Sequence, residues 1–279
     1  MSLDHYKKYL EYYNGGDGKL SSPSSSIKGK KALIDGDGVL FLNAVRFQTE
    51  IQWEGEDGGK MTFSDTDAAM EAIKQDVRNI LKVTGCNDYL FCLSDNRQNY
   101  FRNKILPTYK ANRTQPKPQM YPYLKAQVIK NFNTLSYPTL EADDCLGLLA
   151  GENTVLVSLD KDLDQIAGEH YNWKKNRLYV VTKEEAEYQF YYQVLVGDST
   201  DNYKGCPRVG DKGARKILDD DCSWEAVIKA YAGKGLTEDD TLVQARVARI
   251  LRDGEYERET GEIKLFKGEV NKNDYLCNI

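Results

Sequence analysis

Short apolar runs, separated by longer segments with helical spacing, set the pattern of this chain. Four runs are brief, rich in branched and aromatic residues and bounded by turn-forming residues, which is typical of buried strands. They cover residues 32–34, 88–95, 153–160 and 177–182. Residues 65–83 and 124–133, and a segment that opens at Glu141, have the spacing of helices. Strands that alternate with helices predict an α/β fold with a mostly parallel central sheet flanked by helices.

The pattern changes after Thr182. Strand signals fade there, and residues 183–252 show mainly helices and turns. We therefore predict an α/β domain over residues 1–182 and a helical region over residues 183–279.

The N-terminal residues are expected to stand apart from this fold. Residues 3–13 are amphipathic, and residues 14–26 have the composition of a flexible linker. Farther along the chain, residues 54–60 are predicted to form a loop. The first ten residues lack the apolar core of a signal peptide, and no stretch reaches the apolar length of a membrane span. We therefore expect a cytoplasmic protein with no membrane partner.

Cysteine and histidine usage narrows the possible chemistry. The chain has six cysteines without a CxxC pair and only two histidines. Structural zinc sites and disulfide frameworks are therefore not expected. Scarce histidine also disfavours histidine-based acid–base catalysis and serine-hydrolase triads. Carboxylates are the side chains that remain to carry a reaction.

Charge is distributed unevenly along the chain. The net charge is −5, yet residues 96–140 contain eight Lys and Arg residues and no Asp or Glu. The rest of the chain is correspondingly acidic. A long acid-free basic segment predicts an anionic ligand, because segments that merely face solvent usually mix both signs.

Acidic residues gather at the ends of the predicted strands. Asp35, Asp95 and Asp160 each close one strand, and the carboxyl ends of parallel strands meet at one edge of a sheet. More acids lie at a predicted helix start, after the third strand and in GDSTDN, where a spacing of three would place two of them on one face of a helical turn. These are Glu141, Asp143, Asp144, Asp162, Asp198 and Asp201.

Taken singly, such acids have ordinary explanations, because aspartates form turns after strands and acids favourably meet the dipole at a helix start. Together, carboxylates at one edge would raise one another's pKa values unless cations neutralised them. Oxygen ligands select hard ions such as Mg²⁺ or Mn²⁺. Two such ions about 4 Å apart can activate water and stabilise the departing oxygen of a phosphodiester. The pattern therefore predicts a site for hard divalent cations at this edge of the sheet.

An ordered set of motifs resembles the 5′-nuclease superfamily of flap endonucleases and 5′→3′ exonucleases, in particular the exonucleases of short-tailed phages. The motifs are LIDGDG (33–38), LSD (93–95), YKANR (109–113), EADD (141–144), SLDKDLD (158–164), GDSTDN (197–202) and GCPRVGDKGA (205–214). ARVARILRDGEY (245–256) also resembles the tail of the phage enzymes. The resemblance implies a 5′-nuclease-like sheet domain of the PIN type and an enzyme of DNA replication that hydrolyses duplex DNA from a 5′ end.

The resemblance also implies roles for the matching residues. The first metal site would be formed by Asp35, Asp95, Glu141 and Asp143, with Asp144 and Asp160 beside it. The second metal site would be served by Asp162, Asp198 and Asp201. Lys110 and Arg113 match the cations that face the scissile phosphate, where they would stabilise its growing charge. Tyr109 would stack on a terminal base.

A second DNA contact is implied by GCPRVGDKGA, which resembles a helix–three-turn–helix loop within residues 203–218. Gly205 and Gly210 would let backbone N–H groups approach duplex phosphates, and Lys212 would add charge. Relatives often have glycine where this chain has Arg208, and an arginine there could reach a phosphate. The resemblance further implies a K⁺ ion at this element. Such binding is independent of sequence and sensitive to salt.

The basic residues 96–123 lie where the family threads or clamps a 5′ end. Four prolines interrupt this segment, so we do not expect one long helix. We predict instead that the segment becomes ordered around DNA.

Several functions stay open at this point. The leading one is a monomeric, metal-dependent 5′→3′ exonuclease on duplex DNA with a 5′ end, a nick or a flap, with activity on RNA of RNA–DNA hybrids as an extension. The alternatives are a structure-specific flap endonuclease, a PIN-type RNase and a DNA-binding relative without catalysis. An inert relative should have lost several carboxylates or Lys110, and all are present. Asp37 has no role in this interpretation.

Overall fold

The computed structural model describes residues 29–53 and 59–268. The predicted amphipathic segment 3–13, the predicted linker 14–26 and most of the predicted loop 54–60 lie outside the described residues. No helix in the described part of the chain is long and apolar enough to cross a membrane.

The strands of the described residues form one six-stranded sheet and one separate hairpin. They are β1 (Lys31–Asp35), β2 (Gln48–Trp53), β3 (Gly59–Ser64), β4 (Asp88–Cys92), β5 (Thr134–Leu135), β6 (Thr154–Val157), β7 (Gly168–Asn172) and β8 (Arg177–Val181). The sheet order is β5-β4-β1-β6-β7-β8, and all neighbours pair in parallel except β7 and β8. The predicted α/β class with a mostly parallel sheet is confirmed.

Helices follow the strands and dominate the C-terminal half. They are α1 (Gly36–Arg46), α2 (Thr66–Thr84), α3 (Arg102–Ile105), α4 (Tyr121–Asn131), α5 (Ala142–Leu149), α6 (Lys183–Val196), α7 (Asp211–Asp220), α8 (Trp224–Ala232) and α9 (Glu238–Ala248). Two 3₁₀-helices span Arg97–Asn99 and Lys161–Gln165. The helices predicted from residues 65 and 124 correspond to α2 and α4, within a few residues at each end.

The alternation of side chains along β1 explains how both faces of the sheet are covered. Ala32 and Ile34 pack in one apolar cluster with residues of α1, α2 and α4. Leu33 points to the opposite face and packs in another cluster with residues of α5. Since successive strand residues face opposite sides, a central parallel strand is apolar throughout, as the sequence of β1 is.

The helical region packs around an apolar cluster of its own, to which the basic segment contributes. Phe190 and Tyr231 are fully buried in this cluster. Tyr100 and Tyr109 join the same cluster, although they precede Thr182 by many residues. The division of the chain at residue 182 stays a prediction, and the packing shows that the two parts share an apolar contact.

Four strands of the described residues escaped prediction, namely β2 and β3 of the hairpin and β5 and β7 of the central sheet. The predicted loop 54–60 is flanked by the β2–β3 hairpin, and Gly59 and Lys60 already belong to β3 rather than to a loop. This hairpin is largely exposed, so no run of buried apolar residues signalled it. Strand β7 was missed because its sequence, GEHYN, is mostly polar.

Candidate active site

The carboxyl edge of the sheet brings Asp35 and Asp160 together through a serine. Asp35 begins α1 by accepting a hydrogen bond from the Gly38 N–H at 3.0 Å. The Ser158 hydroxyl donates to Asp35 Oδ2 at 3.1 Å and accepts from the Asp160 N–H at 3.0 Å. The loop after β6 is thereby tied to the end of β1. Ser158 had no predicted role, although it lies within SLDKDLD.

Three carboxyl groups in this crevice hold protons more tightly than usual. Burial, followed by repulsion from neighbouring carboxylates, raises the pKa of Asp35 to about 6. Burial and the charges of Asp35 and Asp160 raise the pKa of Asp143 well above its ordinary value. Burial and the charge of Asp160 raise the pKa of Asp162 to about 7. These acids therefore repel one another when ionised, as the sequence predicted.

Asp198 and Asp201 belong to the same electrostatic neighbourhood, but their local structure differs from the expectation. Both repel Asp162 and raise its pKa. They lie on a turn between β-bridge partners Asp198 and Tyr203, not on one face of a helical turn. Asp198 Oδ1 accepts hydrogen bonds from the N–H groups of Thr200 at 2.6 Å and Asp201 at 3.3 Å, so the aspartate itself shapes the turn.

The chemistry of the crevice fits a hydrated hard cation. The acids offer only oxygen donors, and their mutual repulsion would be relieved by positive charge. In the described residues, no group of three or more His, Cys, Asp or Glu side chains is arranged so that it could hold a metal ion. An ion bound at this edge would therefore keep several waters, as Mg²⁺ commonly does.

Glu141 has a different environment, since cations and a phenol surround it. The Lys110 ammonium pairs with Glu141 Oε1, and the Tyr109 hydroxyl donates to Glu141 Oε2 at 2.9 Å. Burial alone would raise the pKa of Glu141, but Lys110 and Arg102 outweigh it and hold that pKa below its usual value. Glu141 is therefore a carboxylate whose charge is already compensated.

The YKANR segment is fastened to the GDSTDN turn. The Lys110 ammonium lies 3.3 Å from Asp201 Oδ2, and the Lys110 N–H donates to the Asp201 carbonyl at 2.8 Å. Arg113 pairs with Asp201 Oδ1, and Asn202 Nδ2 donates to the Thr108 carbonyl at 2.6 Å. Lys110 has a φ of 53°, a conformation that costs a non-glycine residue about 1–2 kcal/mol. The predicted catalytic cations thus lie beside the acids and are held there by backbone contacts.

Asp144 differs from its predicted metal role. Its side chain is fully buried, and its two oxygens accept four hydrogen bonds. Two come from the Arg102 guanidinium and two from the N–H groups of Glu141 and Leu251. A carboxylate has about four lone-pair positions, so none is left for an ion. We therefore assign Asp144 to the frame of the site, by which we mean the buried residues that hold the site together without binding an ion.

Two of the predicted DNA contacts, Tyr109 and Gly205, lie in the interior instead. Tyr109 is only 5% exposed, and its hydroxyl lies within hydrogen-bonding distance of Glu141 and Asp201, so its ring cannot stack on a base in this conformation. Gly205 is buried, and its N–H donates to Gln244 Oε1 at 3.0 Å. A Cβ there would lie 2.4 Å from the Gly197 nitrogen, so Gly205 serves internal packing.

The other predicted DNA contacts lie on the surface at the start of α7. Gly210 precedes the helix without a side-chain cap, and a Cβ added there would meet open space. Lys212 is exposed in the first turn. Arg208 is exposed and has a φ of 63°, the left-handed conformation that favours the glycine of relatives. The helices α6 and α7 flank this loop, and its description as a helix–three-turn–helix stays a prediction.

Asp95 and Asp37 organise the loops around the crevice. Asp95 lies three residues beyond β4, and its Oδ2 accepts from the Thr139 N–H at 2.9 Å. Asp37 accepts from the Tyr121 hydroxyl at 2.8 Å and from the Ser94 N–H at 3.3 Å. Asp37 thus joins α1 to the start of α4, a role that the sequence did not suggest. The metal role of Asp95 stays a prediction.

Three of the eight cations in residues 96–140 turn inward, which the sequence did not predict. Arg102, Lys110 and Lys125 are each less than a tenth exposed. Lys125 donates to the Ser94 carbonyl at 2.7 Å. The exposed members of the set are Arg97, Lys104, Arg113, Lys117 and Lys130. The basic surface is therefore smaller than the sequence implied, because part of the positive charge compensates buried acids.

The chain is similar in sequence and in fold to known 5′ nucleases. Residues 30–192 match the family model of the 5′-3′ exonuclease N-terminal, resolvase-like domain. The exodeoxyribonuclease of Enterobacteria phage T3 is 24% identical over 95% of this chain and 99% of its own length. The exonuclease of Escherichia phage T7 is 24% identical over 96% of this chain and 100% of its own length. The bacteriophage T5 flap endonuclease, solved with DNA and metal ions, superposes with a TM-score of 0.55 at 16% identity, over 77% of this chain and 86% of that one.

The chain belongs to the 5′-3′ exonuclease family, because the family model matches more than half of its length. The resemblance drawn from the ordered motifs is confirmed, and so is the assignment to 5′-3′ exonucleases. The solved structure supports the fold.

Proposed function

We propose that this protein hydrolyses phosphodiesters of duplex DNA from the 5′ end with two divalent cations, Mg²⁺ or Mn²⁺. The observation that carries the proposal is the pairing of a repelling acid cluster with two cations at its side. Asp35, Asp143 and Asp162 have raised pKa values, whereas Lys110 and Arg113 are fixed to Asp201 beside them. Such an arrangement can receive both cations and a phosphate.

Each group has a distinct part in the reaction. Divalent ions held by Asp35, Asp95, Asp143, Asp160, Asp162 and Asp198 would supply an activated water and neutralise the leaving oxygen. Glu141 and Asp201 are left out of this set because both are paired with Lys110. Lys110 and Arg113 would stabilise negative charge on the phosphate, since both cations are already held in place where that charge would develop. The Tyr109 hydroxyl lies between Glu141 and Asp201, at 2.9 and 3.0 Å, and donates its single proton to one of the two carboxylates at a time. This contact keeps the acids in place before substrate arrives.

Duplex binding is proposed at the start of α7. Its first N–H groups have no side-chain cap, and Lys212 and Arg208 are exposed beside them. N–H groups at a helix start attract phosphates without reading bases. The expected binding is therefore sensitive to salt and independent of sequence. A K⁺ ion at this loop, a monomeric state and a cytoplasmic location stay predictions.

The proposal is tested by separating metal-dependent hydrolysis from DNA binding. Asp143→Asn and Asp162→Asn should abolish hydrolysis in Mg²⁺ but leave duplex affinity in Ca²⁺ unchanged. Asp67→Asn is the matched control, since Asp67 is exposed at the start of α2. Retained hydrolysis in both site variants would remove these acids from the metal site. Hydrolysis of flapped but not blunt duplex by the wild type would favour the flap endonuclease alternative.

A further inference from the structure

The Arg102 guanidinium is a fully used hydrogen-bond hub behind the acid cluster. Its Nη1 donates to Glu141 Oε2 at 3.0 Å and to Asp144 Oδ2 at 2.6 Å. Its Nη2 donates to Asp144 Oδ1 at 2.7 Å and to the Arg249 carbonyl at 2.6 Å, and its Nε donates to the Val247 carbonyl at 2.9 Å. Arginine has five N–H groups, and each has an acceptor here.

Two of those acceptors belong to a segment that we call the C-terminal strap, residues 247–252. The strap leaves the end of α9 and crosses the start of α5, where the Leu251 N–H donates to Asp144 Oδ1 at 3.2 Å. Asp144 also accepts from the Glu141 N–H, so Glu141 is held at its backbone as well as at its carboxylate. The strap is thus linked to Glu141 through two buried side chains.

The strap also holds the element that carries Asp162. Gln165 ends the 3₁₀-helix Lys161–Gln165 and is 1% exposed. Its Nε2 donates to the Ala248 carbonyl at 2.9 Å, and its Oε1 accepts from the Ile250 N–H at 3.3 Å. The Arg252 guanidinium donates to the Gln165 carbonyl at 3.1 Å. One strap therefore contacts both acid-bearing elements, although neither is near it in sequence.

Close packing of the strap on α5 depends on Gly147. A Cβ at this position would lie 2.2 Å from the Leu251 carbonyl oxygen and 3.0 Å from a methyl carbon of Ile250. Backbone atoms cannot yield as a side-chain end can, so any larger residue must displace the strap. Gly151, just beyond α5, has open space around its Cβ position.

We propose that the C-terminal strap positions α5, which carries Asp143, relative to the 3₁₀-helix that carries Asp162, and that Arg102 is the positioning residue through which the strap holds the start of α5. This inference rests on the proposed metal site. Partners behind metal ligands fix the orientation of the ligands, and their loss commonly lowers metal affinity roughly 10- to 100-fold. The C-terminal part of the chain would then set metal affinity without touching the metal or the substrate.

The test compares Gly147→Ala with Gly151→Ala by calorimetric titration of the free full-length protein with Mn²⁺. Alanine favours a helix over glycine, so on local grounds Gly147→Ala should do no harm. We expect Mn²⁺ affinity to fall roughly tenfold or more in Gly147→Ala and to stay unchanged in Gly151→Ala. We also expect kcat to fall in Gly147→Ala while KM for duplex DNA is kept, because the surface of α7 is not altered.

Arg102→Lys supplies a second, independent variant. Lysine keeps the positive charge but cannot reach five acceptors at once. If the variant is folded by near-ultraviolet circular dichroism, we expect its Mn²⁺ affinity to fall as in Gly147→Ala. Unchanged affinity in both folded variants would overturn the positioning role and leave the proposed function intact. Failure of the wild type to bind Mn²⁺ would instead overturn the proposed metal site itself.

Discussion

The buried pair of Arg102 and Asp144 gives the sharpest stability prediction. Four N–H groups converge on the Asp144 carboxylate, at 2.6 to 3.2 Å. In Asp144→Asn, one of the two acceptor atoms becomes an NH₂ group that faces donors. The substitution also leaves the buried Arg102 with only Glu141 to compensate its charge.

Breaking a buried ion pair by removing one partner costs about 3–5 kcal/mol. At about 2–4 °C per kcal/mol for a chain of this size class, Tm should fall by roughly 6–20 °C. The measurement is thermal and urea unfolding in EDTA, so that metal binding does not contribute. Under these conditions the lost free energy reports on the frame of the site alone.

A matched control is provided by Asp211→Asn, which removes a pair between exposed side chains, Asp211 and Arg215, at 2.9 Å. Exposed pairs contribute about 0–1 kcal/mol, so this variant should unfold nearly as the wild type does. A loss for Asp144→Asn no larger than that of the control would refute the assignment of Asp144 to the frame. It would also reopen a metal role for this residue.

Three further predictions follow from the site and its surroundings. Lys110→Ala should slow single-turnover hydrolysis by roughly 10²–10³ with little change in duplex affinity, and an undiminished rate would exclude a contact with the phosphate. Gly205→Ala should lower the free energy of unfolding in urea by at least about 1 kcal/mol, because the new Cβ would lie 2.4 Å from the Gly197 backbone and the φ of Gly205 is 64°. Gly210→Ala is the control and should leave the stability unchanged, since a Cβ there meets open space. Mn²⁺ affinity should fall as pH drops from 8 to 6, since Asp35 and Asp162, with pKa values of about 6 and about 7, take up protons in that range. Calorimetry that shows no proton release when Mn²⁺ binds would contradict this prediction.

Much of the fold could be predicted from the sequence, because the apolar patterns of buried strands and helices are local features of the chain. The apolar run of β1 and the spacing of α2 each report burial directly, and both elements were predicted within a residue or two. Strand β7 and the β2–β3 hairpin were missed for the opposite reason. Their residues are polar or exposed, and β7 is held in the sheet by backbone pairing with β6 and β8, which leaves no apolar run in its own sequence.

The sequence predicted which residues form the site, but not which role each of them has. In EADD, nothing in the sequence distinguishes the environments of Glu141, Asp143 and Asp144. Only the fold shows that Asp143 lies among other acids, that Glu141 contacts Lys110, and that Asp144 contacts Arg102. A pairing across some forty residues cannot be deduced from spacing. One available clue was the position of Arg102, which follows two aromatic residues, Tyr100 and Phe101, in an otherwise polar segment.

The inward turn of Arg102, Lys110 and Lys125 shows the same limit. A count of charges treats each cation as available to a ligand, whereas a folded chain uses some to compensate its own buried groups. The acid-free composition of residues 96–140 therefore has two causes. The exposed cations remain available to the proposed DNA ligand, whereas Arg102, Lys110 and Lys125 compensate buried acids and a backbone carbonyl.

The direction of hydrolysis and its metal dependence can be measured together in a time course on duplex DNA labelled separately at its 5′ and 3′ ends, with Mg²⁺ and with EDTA. We expect early release of the 5′ label as mononucleotides or short pieces, in Mg²⁺ only, while the 3′ label stays in long fragments. Release of the 3′ label first, or release of either label in EDTA, would contradict this expectation.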